Sequence, residues 1–210
     1  MREYQKIESL YRFDAEKKGF VKEFYNPIVE YLKDLHWCGT EKIDGTNIRI
    51  YWNGIKFELA GRTDNAEVPK AIQEIFNEMF NADMEVIFEQ RFGKKDVYLF
   101  CEGYGGKIQK GAYSCETKLI GFDIMIDDTY LDKENSQKIF KELGIEFVPV
   151  MAFENLQQAI NYVENVEESI QCKGDKIEGL VCYPIKRIYD HQGNRIIVKI
   201  KKKDLAKLID

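Results

Sequence analysis

Apolar residues recur along this chain with two different periods, and the periods predict most of its elements. Pro27, Ile28, Val29, Tyr31, Leu32 and Leu35 predict a short helix near residues 26–35, with Pro27 suited to a first helical turn. Asn47-Ile48-Arg49-Ile50-Tyr51-Trp52 alternates, Asn53-Gly54 follows, and Ile55-Lys56-Phe57-Glu58-Leu59 comes next. That order predicts a hairpin closed by a tight Asn-Gly turn. Ile72, Ile75, Phe76, Met79 and Phe80 share helical spacing, which predicts one long helix over 69–92 with a single core-facing stripe. Val97–Cys101, Leu119–Ile126 and Ile177–Tyr183 read as buried strands, 132–143 and 154–165 as helices, and Arg195–Lys201 as a last strand. Strands drawn from distant parts of the chain, with helices outside them, predict an α+β protein with mainly antiparallel sheets.

Composition sharpens this picture. The 210 residues suit one large domain, and 44% hydrophobic residues are enough for a core. No repeat, low-complexity run or linker is evident. No apolar stretch is long enough to span a bilayer and the charged N-terminus is not a signal peptide, so the expectation is a soluble, intracellular, cytoplasmic protein with no membrane partner. Five scattered cysteines without a CxxC pair argue against a disulfide framework and a zinc site. His36 and His191 lack metal-ligand spacing. A net charge of −5 is unlike a general nucleic-acid binder, yet Lys199-Ile200-Lys201-Lys202-Lys203 is a local basic patch that can hold phosphates.

Candidate chemistry starts at Glu41-Lys42-Ile43-Asp44-Gly45-Thr46-Asn47. A Lys-x-Asp-Gly match alone is as readily a turn between strands. A lysine that attacks phosphorus must lose its proton near neutral pH, which a cationic, partly desolvated setting favours. On this pattern Lys42 sits on a loop just before the hairpin. Glu102-Gly103 ends one apolar run and Glu178-Gly179 begins another. A carboxylate there needs a cationic partner, or it serves a cation and a ligand. Phe122 alternates with Ile120 and Ile124, as a core residue or as a flat ring under a purine. Lys199 and Lys201 point to one face of their strand and would repel each other unless an anion lies between them. Gly61-Arg62 adds another cationic group after the hairpin, or a solvated turn.

Lys42-Ile43-Asp44-Gly45, Arg62, Glu102-Gly103, Phe122-Asp123, Glu178-Gly179 and Lys199-x-Lys201 occur in the order of the covalent nucleotidyltransferases, and over Tyr4 to Lys201 the chain resembles that superfamily of DNA ligases, RNA ligases and capping enzymes. Tyr4-x-x-Ile7-Glu8 and Lys42 to Asn47 are similar to the RNA ligase 2 group. The phage founder of that group carries histidine where this chain has Asp44.

The resemblance implies a nucleotidyltransferase (adenylation) domain of ATP-grasp-like ligase type, and an ATP-dependent RNA ligase. Lys42 would take AMP from ATP. Glu41 would lie beside the adenine, Arg62 at the ribose, Glu102 at the ribose hydroxyls and Phe122 on the base. Lys199 and Lys201 would grip the α-phosphate. Glu178 and Glu102 would hold waters of Mg2+, and Asn47 would meet the RNA 5′-phosphate; the role of Asp44 stays open. The partners implied are RNA 5′-phosphate and 3′-OH ends, including those of a nicked duplex. The chain ends soon after Lys201, so the expectation is a minimal single domain over 1–210 without an OB-fold, or one completed by a protein partner. A DNA ligase, a GTP-using capping enzyme and a non-catalytic nucleic-acid-binding module with a relic nucleotide pocket are the alternatives.

Overall fold

The computed structural model describes residues 1–209, which gather into two compact units. One comprises Met1–Tyr4 with Asp44–Val148; the other comprises Gln5–Ile43 with the chain from Pro149 onward. The strands of the first half are β1 (Glu8–Ser9), β2 (Tyr11–Asp14), β3 (Gly19–Phe24), β4 (Trp37–Lys42), β5 (Thr46–Trp52), β6 (Phe57–Ala60) and β7 (Val97–Tyr104). Those of the second half are β8 (Lys118–Ile126), β9 (Thr129–Tyr130), β10 (Glu146–Phe147), β11 (Val150–Phe153), β12 (Gly179–Pro184), β13 (Val198–Lys201) and β14 (Leu208–Ile209). The helices are α1 (Pro27–Leu32), α2 (Lys70–Met79), α3 (Ala82–Phe92), α4 (Lys133–Glu142), α5 (Leu156–Asn165) and α6 (Lys202–Leu205). The α+β class with mainly antiparallel sheets is as the sequence predicts.

The first unit is a sheet of order β10-β8-β7-β5-β6, with β9 beside β8. Its helical face buries Ile48, Ile50, Trp52, Leu99 and Ile124 against Ile72 of α2, Phe88 of α3 and Phe140 of α4. Each such fully buried side chain contributes about 1.5–3 kcal/mol over its exposed state. The predicted single helix over 69–92 is two. Phe80 leaves helical geometry at ψ 57°, and the Asn81 side chain accepts from the amides of Asp83 and Met84, starting a new helix. The hairpin forms as predicted, but its connection runs over residues 53–56. Asn53 Oδ1 accepts from both Ile55 and Lys56 amides at 3.0 Å, so the asparagine side chain itself builds the turn.

The second unit holds a sheet of order β1-β13-β12-β4-β11 and a small one of order β14-β3-β2. Its core packs Leu180, Cys182, Val198 and Ile200 against Leu156, Ala159, Ile160 and Val163 of α5, with Trp37 and Val29. Helix α5 starts where Asn155 caps the Gln158 amide, and α1 where Asn26 caps Ile28 behind Pro27. Two predicted strands are shorter here: the last begins at Val198, and the one before it at Gly179, which leaves Glu178 just outside. Strand β4 and the hairpin β2–β3 carry no apolar periodicity that announces them. Lys42 is therefore the last residue of a central strand and not part of a loop. Among the described residues no helix is long and apolar enough to cross a membrane.

Candidate active site

In the second unit, β12 lies between β4 and β13, and their register brings Lys42, Gly179 and Lys201 into one row and Thr40, Val181 and Lys199 into the next. Side chains directly opposite in antiparallel strands share a face. Lys42 thus stands with Lys199 and Lys201 on the face turned away from α5; the shared face of Lys199 and Lys201 is as their alternation predicted.

Glu178 joins them. Its Oε2 accepts from Lys42 Nζ at 2.6 Å and its Oε1 pairs with Lys201 Nζ at 2.5 Å. Alternation from Leu180 would send Glu178 to the core face. Gly179, at φ +152°, reverses that direction, and a Cβ here would run into the Ile200 carbonyl oxygen. Burial alone would raise the Glu178 pKa; the charges and hydrogen bonds of Lys42 and Lys201 outweigh it and hold the carboxyl below its ordinary value. Lys199 is lowered, first by burial and then by the charges of Lys201 and Lys42. The site is thus a cluster of three lysines in which one carboxylate is shared between two of them.

Glu41 is turned elsewhere. It lies opposite Leu180, so its carboxylate enters the core side of the sheet at 2% exposure. There it accepts from the Ser169 hydroxyl and from the amides of Ile170 and Gln171, at 2.9 and 3.1 Å. Glu41 thus faces away from Lys42, because neighbours along a strand face opposite ways.

In the first unit, Asn47 lies opposite Glu102 on the face without helices. Asn47 Oδ1 is buried with no hydrogen-bond partner among the described residues. Phe122 reaches the same face through a bulge: Phe100 pairs with Asp123 and Cys101 with Gly121, leaving Phe122 as the extra residue. It does not share a face with Ile124 as alternation predicted, since Ile124 joins the helical core while Phe122 packs with Tyr4 and Phe100. Tyr4 meets its ring edge-on at 5.0 Å and donates to Asp123 Oδ2 at 2.8 Å. Lys133 Nζ donates to the Phe122 carbonyl at 2.6 Å.

Arg62 is exposed, on a loop held by a group the sequence analysis passed over. Arg49, fully buried, donates to the Gly61 carbonyl at 2.6 Å and to Asp64 at 2.8 Å. An arginine inside the alternating run of β5 was the available signal. Asp44 donates its amide to Tyr113 Oη at 3.0 Å, and Gln109 Nε2 donates to the Gly45 carbonyl at 2.8 Å. Neither Tyr113 nor Gln109 was anticipated; the glycines of Gly105-Gly106 and Gly111 marked the unusual turn that carries them.

Among the described residues no group of three or more His, Cys, Asp or Glu is placed to hold a metal. A magnesium-type ion is satisfied by one or two carboxylates and its own waters; Glu178 has that donor chemistry, with each oxygen here paired to a lysine.

Comparison with curated proteins found no match. Among solved structures the fold is similar to Naegleria gruberi RNA ligase. A glutamate-to-alanine mutant with AMP and Mn gives a TM-score of 0.65 at 21% identity, covering 86% of this chain and 54% of that one. A lysine-to-alanine mutant with ATP and Mn gives 0.64 at 18% identity, covering 95% and 60%. An aspartate-to-alanine mutant in the apo state gives 0.63 at 21%, covering 86% and 53%. This chain therefore spans somewhat more than half the length of those proteins. The sequence pattern of the RNA ligase family matches residues 35–201, a span that takes in the lysine cluster, and on that match the chain belongs to the RNA ligase family.

Proposed function

We propose that this chain is an ATP-dependent RNA ligase of the RNA ligase 2 type, with Lys42 as its nucleophile. One observation carries the reading: Lys42, Lys199 and Lys201 share a sheet face around Glu178. Once its ammonium has given a proton to solvent, the Lys42 amine attacks the α-phosphorus of ATP, the bond to pyrophosphate breaks, and a lysyl-AMP phosphoramide forms as the second N–H proton leaves. An RNA 5′-phosphate oxygen then attacks that phosphorus and frees the lysine. Finally a 3′-OH attacks the activated 5′-phosphate, forming the phosphodiester and releasing AMP.

Lys199 and Lys201 stabilise charge growing on the phosphate oxygens, the larger part of what phosphoryl transfer asks of a protein. Glu178 holds Lys42 in place before nucleotide arrives. Glu178 is the carboxylate that would hold a magnesium ion, which would supply further charge neutralisation when bound. Arg62 and Glu102 are assigned to the ribose and Phe122 to the base, its half-buried ring steadied by Tyr4. Asn47 is assigned to the RNA 5′-phosphate, to which its side-chain NH2 would donate. Glu41 supports the site through the 169–171 loop. Asp44 is held by its backbone, which leaves its carboxylate available to substrate.

The test is incubation with magnesium and α-labelled ATP, with GTP in parallel, followed by a denaturing gel. Label from ATP alone, lost in a folded Lys42→Ala protein, supports the reading, and sealing of RNA against DNA ends then sets the substrate. Label from GTP moves the chain toward capping chemistry. No label from either nucleotide, or label that persists in Lys42→Ala, sinks the assignment.

A further inference from the structure

The turn joining β7 to β8 departs from ordinary backbone geometry more than any other stretch of the first unit. Gly105, Gly106 and Gly111 have positive φ, which glycine tolerates. Gln109 and Lys110 are left-handed as well, at φ 50° and 59°, and they are neither glycine nor asparagine. Side chains of this kind enter that region at a cost, and such residues persist where surrounding structure holds them there.

What holds them is visible. Gln109 reaches over to donate its amide to the Gly45 carbonyl at 2.8 Å. Four residues on, Tyr113 is buried at 2% exposure, braced edge-on against Tyr104, and its hydroxyl accepts from the Asp44 amide at 3.0 Å. Two consecutive residues are therefore gripped through their main chain by two side chains of one turn. Gly45 is packed so tightly below this grip that a Cβ would strike the Gly103 carbonyl oxygen and Cγ of Glu102. Asp44 and Gly45 follow Lys42 by two and three residues.

We infer that Gln109 is a positioning residue for the segment that follows the nucleophile, held in a strained backbone so that its amide can fix Gly45 and, with Tyr113, Asp44. This rests on the ligase reading for its functional consequence, though not for the contact itself. The clasp restricts Asp44–Gly45 to one conformation, and that limits the directions in which Lys42 can approach phosphorus. Small errors in approach are costly, since a misplacement of about 1 Å can cost on the order of a hundredfold in rate.

Strain separates this role from a merely structural one. Gln109→Gly removes the grip and relieves the backbone together. The expected result is a melting temperature equal to or above that of the parent, unchanged ATP affinity, and lysyl-AMP formation slowed at least about tenfold. Gln109→Glu, the same shape without the donor, should be slowed similarly. Amide exchange of residues 44–46, measured without nucleotide, should rise in both variants.

Parental rate in Gln109→Gly, or a rate loss matched by a fall in melting temperature, overturns the positioning role. Unchanged exchange at residues 44–46 overturns the clasp. If the parent protein takes no label from ATP, the ligase reading falls, and exchange at those residues still decides whether Gln109 holds the segment.

Discussion

Glu178→Gln keeps the side-chain volume and removes the negative charge between Lys42 and Lys201. The wild-type carboxylate is 9% exposed and its oxygens lie 2.6 and 2.5 Å from the two ammonium groups. Stripping one partner from a fully buried pair costs about 3–5 kcal/mol, because the other charge is left without compensation. Here Lys42 and Lys201 keep 24% and 17% of their side chains exposed, so water and ions screen them in part. The expected loss is about 2–3 kcal/mol after that discount. For a chain of this size it lowers the unfolding midpoint by roughly 4–12 °C.

Thermal unfolding followed by circular dichroism measures this shift directly. The gap between the proteins should narrow near 1 M salt, where the screening length falls to about 3 Å. Pyrophosphate should stabilise Glu178→Gln more than the parent, since the freed lysines lack a counter-ion. The pH dependence has a definite sign. The folded pKa of Glu178 lies below its ordinary value, so its contribution is full above the unfolded pKa and is lost as pH falls through the lower folded one. The gap must close in acid and not in base. A variant melting within about 1 °C of the parent at neutral pH, or a gap undiminished in strong acid, would refute the shared-carboxylate argument.

Gly179→Ala should destabilise the second unit by about 2 kcal/mol or more, because its φ of +152° and the Ile200 carbonyl leave no room for a Cβ; a normal urea midpoint would contradict this. Glu41→Gln leaves one acceptor where three donors converge, so the expected cost is about 1–3 kcal/mol with faster amide exchange at Ile170 and Gln171. If exchange there is unchanged while ATP affinity falls, Glu41 serves the nucleotide and not the loop.

Side-chain alternation is easier to read from this chain than the pairing of its strands. Lys199 and Lys201 alternate with apolar residues whose burial was evident, so their common face was legible, and α4 and α5 follow from periodicity and caps. Strand β4 was not legible. Trp37-Cys38-Gly39-Thr40-Glu41-Lys42 has no apolar alternation, and it is a strand because β12 and β11 pair with its two edges. The turn of Phe122 to the other face was hidden for a similar reason: a bulge belongs to the pairing of two strands and leaves no mark in one of them. Glu178 reached the lysines by a backbone reversal at Gly179 that spacing alone does not reveal. The break at Phe80 could have been read from Asn81, whose capping chemistry was outweighed by a continuous apolar stripe.

The opposite outlooks of Glu41 and Lys42 also bear on how the second unit assembles. A slip of β4 by one residue would exchange the two side chains. The lysine would then confront the amides of Ile170 and Gln171, donors meeting donors, while the glutamate would be set beside Glu178. Both errors repel, and both occur in the central strand on which β11 and β12 must dock. A misaligned strand is thus penalised, and the charged neighbours that equip the site also favour its register.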